Sequence, residues 1–88
     1  MNPTVVTVKP ENDYKLKVTF DNGEKRLFDV TPFLDKGVFS ELKNINYFQQ
    51  VKVAFGAVEW PHEQDFSKDT LYVLGDLITA NSTSIGKY

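Results

Sequence analysis

Side chains that could carry chemistry are concentrated between residues 59 and 76. This stretch contains the only histidine of the chain, His62, and a single cation, Lys68, among five carboxylates: Glu59, Glu63, Asp65, Asp69 and Asp76. Carboxylates are suited to cation binding and to acid–base catalysis. With one histidine, a two-histidine metal site within one chain is impossible.

A cation site is the first possibility for this stretch. Its candidate ligands lack the fixed spacing of an EF-hand loop and alternate across a strand end and a loop; they are Glu59, His62, Glu63, Asp65 and Asp69. A solvated acidic loop explains these residues better than a bound ion. We therefore predict no metal and no cofactor.

Acid–base catalysis is the second possibility. Glu63 and Asp65 would need burial or coupling to shift a pKa, and loop carboxylates are usually hydrated. Asp65 has a simpler structural role available, because it lies two residues before Ser67 and could accept backbone N–H bonds at a helix start. The sequence contains no phosphate-binding, dinucleotide-binding, serine-hydrolase or zinc-protease motif. No catalytic residue is predicted.

A partner-binding role is the third possibility, and we predict it for residues 60–69. The segment combines aromatic side chains with concentrated negative charge, and Pro61 restrains its backbone. A basic protein surface would be steered toward the carboxylates, while an aromatic ring, if partly exposed, would supply the apolar contact. The predicted contact residues are Trp60, His62, Glu63, Asp65, Phe66 and Asp69. In the alternative interpretation, both rings are buried and the carboxylates cap the helix and keep the loop soluble.

Composition limits the remaining function classes. The 88 residues are 41% hydrophobic, 25% charged and 14% aromatic, which is typical of one globular domain with an aromatic-rich core. No cysteine is present, no secretion-signal pattern opens the sequence, and no apolar run reaches the roughly 20 residues that span a bilayer. We therefore expect a cytoplasmic protein without membrane contact. A net charge of −2 disfavours direct nucleic-acid binding, which leaves another protein or self-association.

The elements that position these residues begin with strands. We predict strands at residues 4–9, closed by Pro10, at 14–20, where apolar and polar residues alternate, and at 25–30. A three-residue Asp21-Asn22-Gly23 loop with Gly23 left-handed would set Leu16 against Phe28 and Tyr14 against Val30. The lysines between these positions, Lys15, Lys17 and Lys25, would form a solvated outer face.

The second half of the sequence predicts helical segments and another hairpin. A short 3₁₀ turn is expected at residues 31–34, and helical segments at 38–50 with a break near Asn44 or Asn46. A hairpin turning at Gly56 should occupy residues 51–60. Ser67 should then cap a helix whose first turn holds Asp69 and whose apolar stripe contains Leu71, Leu74 and Ile78.

Together these elements predict an α+β fold. We expect one antiparallel sheet of about five strands, in the order β-β-β-α-β-β-α, with helices packed on one face. Residues 1–80 should form a single domain, and residues 81–88 a flexible C-terminal tail.

One segment carries a resemblance to a known family. Residues 60–72, which read WPHEQDFSKDTLY, resemble the W-P-(N)-(G)-x-D-(L)-S-(P)-D-x-L-Y signature of the bacterial domain-of-unknown-function family 2442 (DUF2442). His62-Glu63 replaces the usual Asn-Gly, and Lys68 replaces a common Pro, so a glycine-dependent turn after Pro61 is not expected to be kept unchanged. Similar features extend over residues 4–73.

The resemblance implies no reaction and no ligand. Some members carry this domain ahead of a helix-turn-helix domain, and small stand-alone members, which this chain resembles, are often proposed to pair with a neighbouring small protein in toxin–antitoxin-like systems. We therefore predict a non-enzymatic protein-binding or regulatory module. The alternative is an accessory domain of a DNA-binding transcriptional regulator that acts through a partner. A small enzyme with carboxylate chemistry is the third hypothesis.

Overall fold

Four antiparallel strands form the larger of two sheets in a computed structural model that describes residues 2–78. Strands β1 (Val5–Glu11), β2 (Lys15–Phe20) and β3 (Lys25–Asp29) follow one another along the chain. Strand β7 (Asp76–Ile78) pairs with the free edge of β3. The sheet order is therefore β1-β2-β3-β7.

The register of the β2–β3 hairpin confirms the predicted three-residue loop. Leu16 lies opposite Phe28, and the Val30 N–H donates to the Tyr14 carbonyl over 2.9 Å. Gly23 adopts a φ of +88°, a left-handed conformation that costs glycine little. Leu16, Val18 and Phe28 consequently face the core, whereas Leu27 lies opposite Lys17 on the other face, together with the predicted lysine side chains.

The predicted end of the first strand at Pro10 is wrong. Strand β1 continues to Glu11, and Pro10 lies opposite Leu16. Because β1 is an edge strand, one row of its backbone groups has no ladder partner, so a residue without an N–H is tolerated there.

Short helical elements link the two sheets. A 3₁₀ turn covers Thr31–Phe33, a 3₁₀ helix covers Gly37–Lys43, and helix α1 covers Ile45–Phe48. Asn44 separates the last two, and its side-chain oxygen accepts hydrogen bonds from the backbone of Asn46 and Tyr47. The predicted break near Asn44 is confirmed, because a side-chain cap starts a new helix there.

A second sheet contains strands β4 (Lys52–Ala54), β5 (Ala57–Glu59) and β6 (Asp65–Phe66), all antiparallel. The α+β class is confirmed, but the single sheet of about five strands is wrong. The hairpin of β4 and β5 takes the two-residue β6 as its third strand, while the larger sheet recruits β7. Strands of two or three residues are too short to show an alternation pattern.

Helix α2 (Lys68–Leu74) starts as predicted but ends early. The Ser67 hydroxyl accepts a hydrogen bond from the Thr70 N–H over 3.1 Å. The prediction that Ile78 belongs to this helix is wrong, because the helix ends at Leu74, whose side chain is exposed. Ile78 instead lies in β7, where it pairs with Lys25 of β3. At Gly75 the backbone is already extended, which starts the return to the sheet.

The core lies between the inner faces of the sheets and the helical elements, and it is rich in aromatic side chains. Its largest fully buried members are Trp60, Phe20, Phe28 and Phe48. Within residues 2–78, no helix is long and apolar enough to cross a membrane. The predicted tail at 81–88 lies outside the described residues.

Candidate functional site

The turn between β5 and β6 lies within the predicted partner-binding segment and is closed by backbone hydrogen bonds. The Trp60 N–H donates to the Gln64 carbonyl over 2.9 Å, and the Glu63 N–H donates to the Trp60 carbonyl over 3.0 Å. Glu63 has a φ of +76°, a conformation that glycine adopts readily and a glutamate does not. The turn after Pro61 is therefore kept without a glycine.

The side chain of Gln64 fixes this turn from the protein interior. It is the one buried polar residue of the described chain, with a relative exposure of 3%. Its side-chain nitrogen donates to the Val38 carbonyl over 3.0 Å and to Glu41 Oε1 over 2.9 Å, and its side-chain oxygen accepts from the Tyr47 hydroxyl over 2.6 Å. A buried amide with satisfied donors and acceptor ties the turn to the 3₁₀ helix and to α1.

Tyr47 and Glu41 connect the anchor to the surface of the turn. The Tyr47 hydroxyl accepts a hydrogen bond from the His62 backbone N–H over 2.8 Å, and the two rings stack with centroids 5.1 Å apart. His62 Nδ1 lies 2.7 Å from Glu41 Oε2. The hydrogen bond from Gln64 lowers the pKa of Glu41, and the hydrogen bond with His62 lowers it to a smaller extent.

The sequence did not single out Glu41, Tyr47 or Gln64 as binding or supporting residues. Glu41 and Tyr47 lie on helical elements outside the predicted segment, and no local spacing pattern links them to His62. The polar character of Gln64 at a strand entrance was the one available signal. The contacts of this network join residues 15 to 26 positions apart in the chain, so only the tertiary structure brings them together.

The predicted aromatic contacts lie in the core. Trp60 is 1% exposed, and its indole N–H donates to the Phe48 carbonyl over 2.8 Å. Phe66 is also buried, with ring centroids 4.9 Å from both Phe28 and Phe39. Neither ring can supply the expected apolar surface contact, which corrects that part of the prediction. The alternation of Val58 and Trp60 on one strand face already indicated this burial.

The four polar residues of the predicted site are exposed but do not form one cluster. His62 and Glu63 lie at the turn, and Asp65 lies on β6 opposite Glu59. Asp69 lies in the first turn of α2, where the Asn2 side chain donates a hydrogen bond to it over 2.9 Å. This hydrogen bond, and to a smaller extent the charge of Lys68, lowers the pKa of Asp69. The helix cap comes from Ser67, so the capping role considered for Asp65 is not seen among the described contacts.

Tyr72, the last residue of the segment that resembles the family signature, packs against Arg26. Its ring lies 4.0 Å from the Arg26 guanidinium carbon, and its hydroxyl donates to Glu24 over 3.1 Å. Trp60 is buried in the core and Tyr72 is half-buried. The pair does not form a surface for stacking.

Across residues 2–78, the side chains assemble neither a group of three potential metal ligands nor a pocket. His62 and Glu63 are instead exposed on a turn that the hydrogen bonds of Gln64 and Tyr47 hold in place. These exposed groups can form hydrogen bonds and carry charge.

Comparison with known proteins places this sequence in a family. The model of the family described as "Protein of unknown function (DUF2442)" matches residues 5–75. The chain belongs to the DUF2442 family. No curated protein and no solved structure matches it.

The DUF2442 match covers β1 through the end of α2 and stops one residue before β7. The matched region includes the turn at residues 60–64. In the family signature, Gly stands where this chain has Glu63, and Glu63 is the residue with the left-handed backbone. The turn geometry therefore explains why a glycine suits this position.

Proposed function

We propose that this DUF2442 chain is a non-enzymatic protein-binding module with a regulatory role that it exerts through its partner. The observation that carries the proposal is the buried anchoring of an exposed turn. The Tyr47 hydroxyl accepts from the His62 backbone N–H and donates to the buried Gln64 side chain, while the His62 side chain is 64% exposed. A binding partner would have few torsions to order, which lowers the cost of association.

The charge of the segment supports a partner with a basic surface. Glu63, Asp65 and Asp69 are exposed, and Lys68 is the one cation between them in the sequence. Electrostatic complementarity of this kind increases the rate of encounter and favours the correct partner over acidic competitors. Direct contact with nucleic acid is not part of the proposal, because the chain carries a net charge of −2.

The candidate partner is the small protein encoded beside this one, in a toxin–antitoxin-like pair. The support for this finer assignment is the resemblance to small members of the family. We place the pair in the cytoplasm, which the absence of cysteine favours. Self-association is the other form of protein binding that the proposal includes.

The experiment is a titration of the protein encoded by the neighbouring gene. The double variant His62→Ala with Glu63→Gln changes the exposed turn and leaves Gln64 and Tyr47 in place. We expect its affinity for the partner to fall about tenfold, in the range of interface residues that dominate binding. Asp13→Asn, an exposed carboxylate in the β1–β2 turn, is the control and should leave affinity unchanged.

The thermal stability of both variants is measured first, so that a folding defect is not mistaken for lost binding. Equal affinity of the double variant and the unmodified protein would exclude the turn as the interface. Sedimentation equilibrium of the protein alone reports self-association. A monomer that also fails to bind the neighbouring protein would refute the proposed function.

A further inference from the structure

The outer face of the three-stranded sheet is a second surface with unusual side chains. Val53, Val58 and Phe66 lie opposite one another and face the core. Since strand residues alternate between faces, the outer face consists of Lys52, Ala54, Ala57, Glu59 and Asp65. Lys52 and Asp65 are exposed, and the two alanines make the middle of the face flat.

Phe55 stands at one end of this face, in the turn between β4 and β5. Its relative exposure is 103%, so no described residue covers the ring. Its φ is +52° and that of Gly56 is +75°, the paired left-handed conformations that favour Asn, Asp and Gly in two-residue hairpin turns. A bulky aromatic residue is costly there, and its exposed ring contributes no packing to the fold.

Two carboxylates stand at the other end of the face. Glu59 lies directly opposite Asp65, and like charges in opposed positions destabilise a sheet. Lys52 Nζ lies 3.7 Å from Glu59 Oε2, whereas Asp65 has no ion pair among residues 2–78. A guanidinium group can donate hydrogen bonds to both carboxylates at once through its planar fork of N–H groups.

We propose that this outer face docks a partner protein that packs apolar side chains around Phe55 and places an arginine between Glu59 and Asp65. Phe55 is the anchor, because aromatic residues dominate interface energies. The paired carboxylates define the partner as basic. The inference rests on the proposed function, since it names the kind of partner, but it uses residues that the turn experiment leaves unchanged.

The test uses peptide selection, which works before the partner has been identified. A phage library of random linear peptides is selected against the immobilised protein, and the enriched peptides are synthesised and titrated by calorimetry. We expect enriched peptides to combine arginine with large apolar residues. Phe55→Ser should weaken their binding about tenfold, and Asp65→Asn about fivefold with a smaller salt dependence.

Two matched controls separate the face from general surface effects. Val73→Ser removes an exposed apolar side chain from α2, and Asp13→Asn removes an exposed charge from the β1–β2 turn. Neither should change peptide affinity. Phe55 and Asp65 make no described side-chain contacts that hold the fold, so both test variants should unfold at or above the temperature of the unmodified protein.

The inference is overturned if no peptide is enriched, or if enriched peptides bind both variants as they bind the unmodified protein. It is also overturned if the protein self-associates and Phe55→Ser abolishes that association, because the occupant would then be a second copy. Titration of the neighbour-encoded protein separates the two proposals. If the turn variant His62→Ala with Glu63→Gln loses this binding while Phe55→Ser and Asp65→Asn keep it, the proposed function stands and the docking face is wrong.

Discussion

The Tyr47 hydroxyl donates a hydrogen bond to the side-chain oxygen of Gln64 over 2.6 Å in the protein interior. The same hydroxyl accepts from the His62 backbone N–H over 2.8 Å. One phenol oxygen therefore serves both the buried amide and the exposed turn. Removing it affects the fold and the surface together.

Tyr47→Phe should lower the free energy of unfolding by about 1–3 kcal/mol, because it leaves the buried Gln64 oxygen without a donor. Urea unfolding followed by tryptophan fluorescence measures the change, since Trp60 lies in the core. Tyr72→Phe is the matched control. Its hydroxyl bonds the half-buried Glu24, which can turn to water, so it should cost less than Tyr47→Phe. Equal losses for the two variants would contradict the anchoring role of Tyr47.

Glu63→Gly should stabilise the protein by about 0.5–1 kcal/mol, because glycine adopts the left-handed backbone at this position without a Cβ penalty and loses only part of that gain to chain entropy. The φ of +76° at Glu63 is the basis of the prediction. Thermal unfolding of a series checks it, with Glu63→Asn between glycine and glutamate and Glu63→Val below the unmodified protein. A series in which valine is as stable as glycine would show that the turn does not hold this conformation.

Gly23→Val should destabilise the protein by about 1 kcal/mol or more, since a β-branched residue tolerates positive φ poorly. A Cβ at Gly23 would meet nothing within 4 Å, so the loss would come from the backbone alone. Gly23→Asn keeps the left-handed preference and should cost much less. Unfolding midpoints of the two variants provide the comparison, and a neutral valine substitution would contradict the observed register.

Glu41 should contribute to the pH dependence of stability. Its pKa is lowered in the folded protein by the hydrogen bonds from Gln64 and His62. A lowered folded-state pKa means that the contribution is present above the unfolded value, about 4.3, and is lost as the pH falls through the folded pKa. The stability difference between the unmodified protein and Glu41→Gln should therefore shrink on going from neutral pH to strongly acidic pH.

Urea unfolding at neutral pH and at acidic pH measures this difference. Glu63→Gln is the control for the loss of one exposed carboxylate, because the Glu63 carboxylate has no described hydrogen bond. A Glu41→Gln difference that stays constant over the range would show that the network does not depend on the charge of Glu41. The wider acid sensitivity of the protein should persist in the variant, since hydrogen bonds also lower the pKa of Glu24, Asp29 and Asp35.

Local patterns in the sequence predicted the local part of the fold. Alternation from Leu16 to Phe20 and the glycine at position 23 were sufficient for the β2–β3 register, because both signals lie within one hairpin. The sequence did not predict the division into two sheets, because β6 has two residues and β7 has three. Strands this short carry no pattern that indicates which other strand they pair with. The prediction placed Ile78 in helix α2 because Leu71, Leu74 and Ile78 have helical spacing. A helix followed by a strand after Gly75 can have apolar residues at the same spacing.

The sequence likewise predicts one part of the candidate site and not the other. The exposure of His62 and Glu63 follows from a polar turn after a proline, which the sequence shows. The hydrogen bonds that His62 makes with Tyr47 and Glu41 depend on how the 3₁₀ helix and α1 pack against the turn, and no local rule predicts that packing. The predicted hairpin of residues 51–60 placed Phe55 in its first strand, because Val51, Val53 and Phe55 alternate with Lys52 and Ala54. The two-residue turn at Phe55-Gly56 ended the strand one residue earlier.

Phe55→Asn should raise the free energy of unfolding by about 1 kcal/mol, since asparagine followed by Gly56 is the preferred pair for this type of turn. The ring is fully exposed, so its removal takes no packing away from the core. Calorimetric unfolding measures the gain, and Val6→Asn, which replaces an exposed apolar residue within a strand, is the control and should be destabilising. If Phe55→Asn instead lowers stability, the ring must pack against the protein, and the proposal that it is reserved for a partner loses its basis.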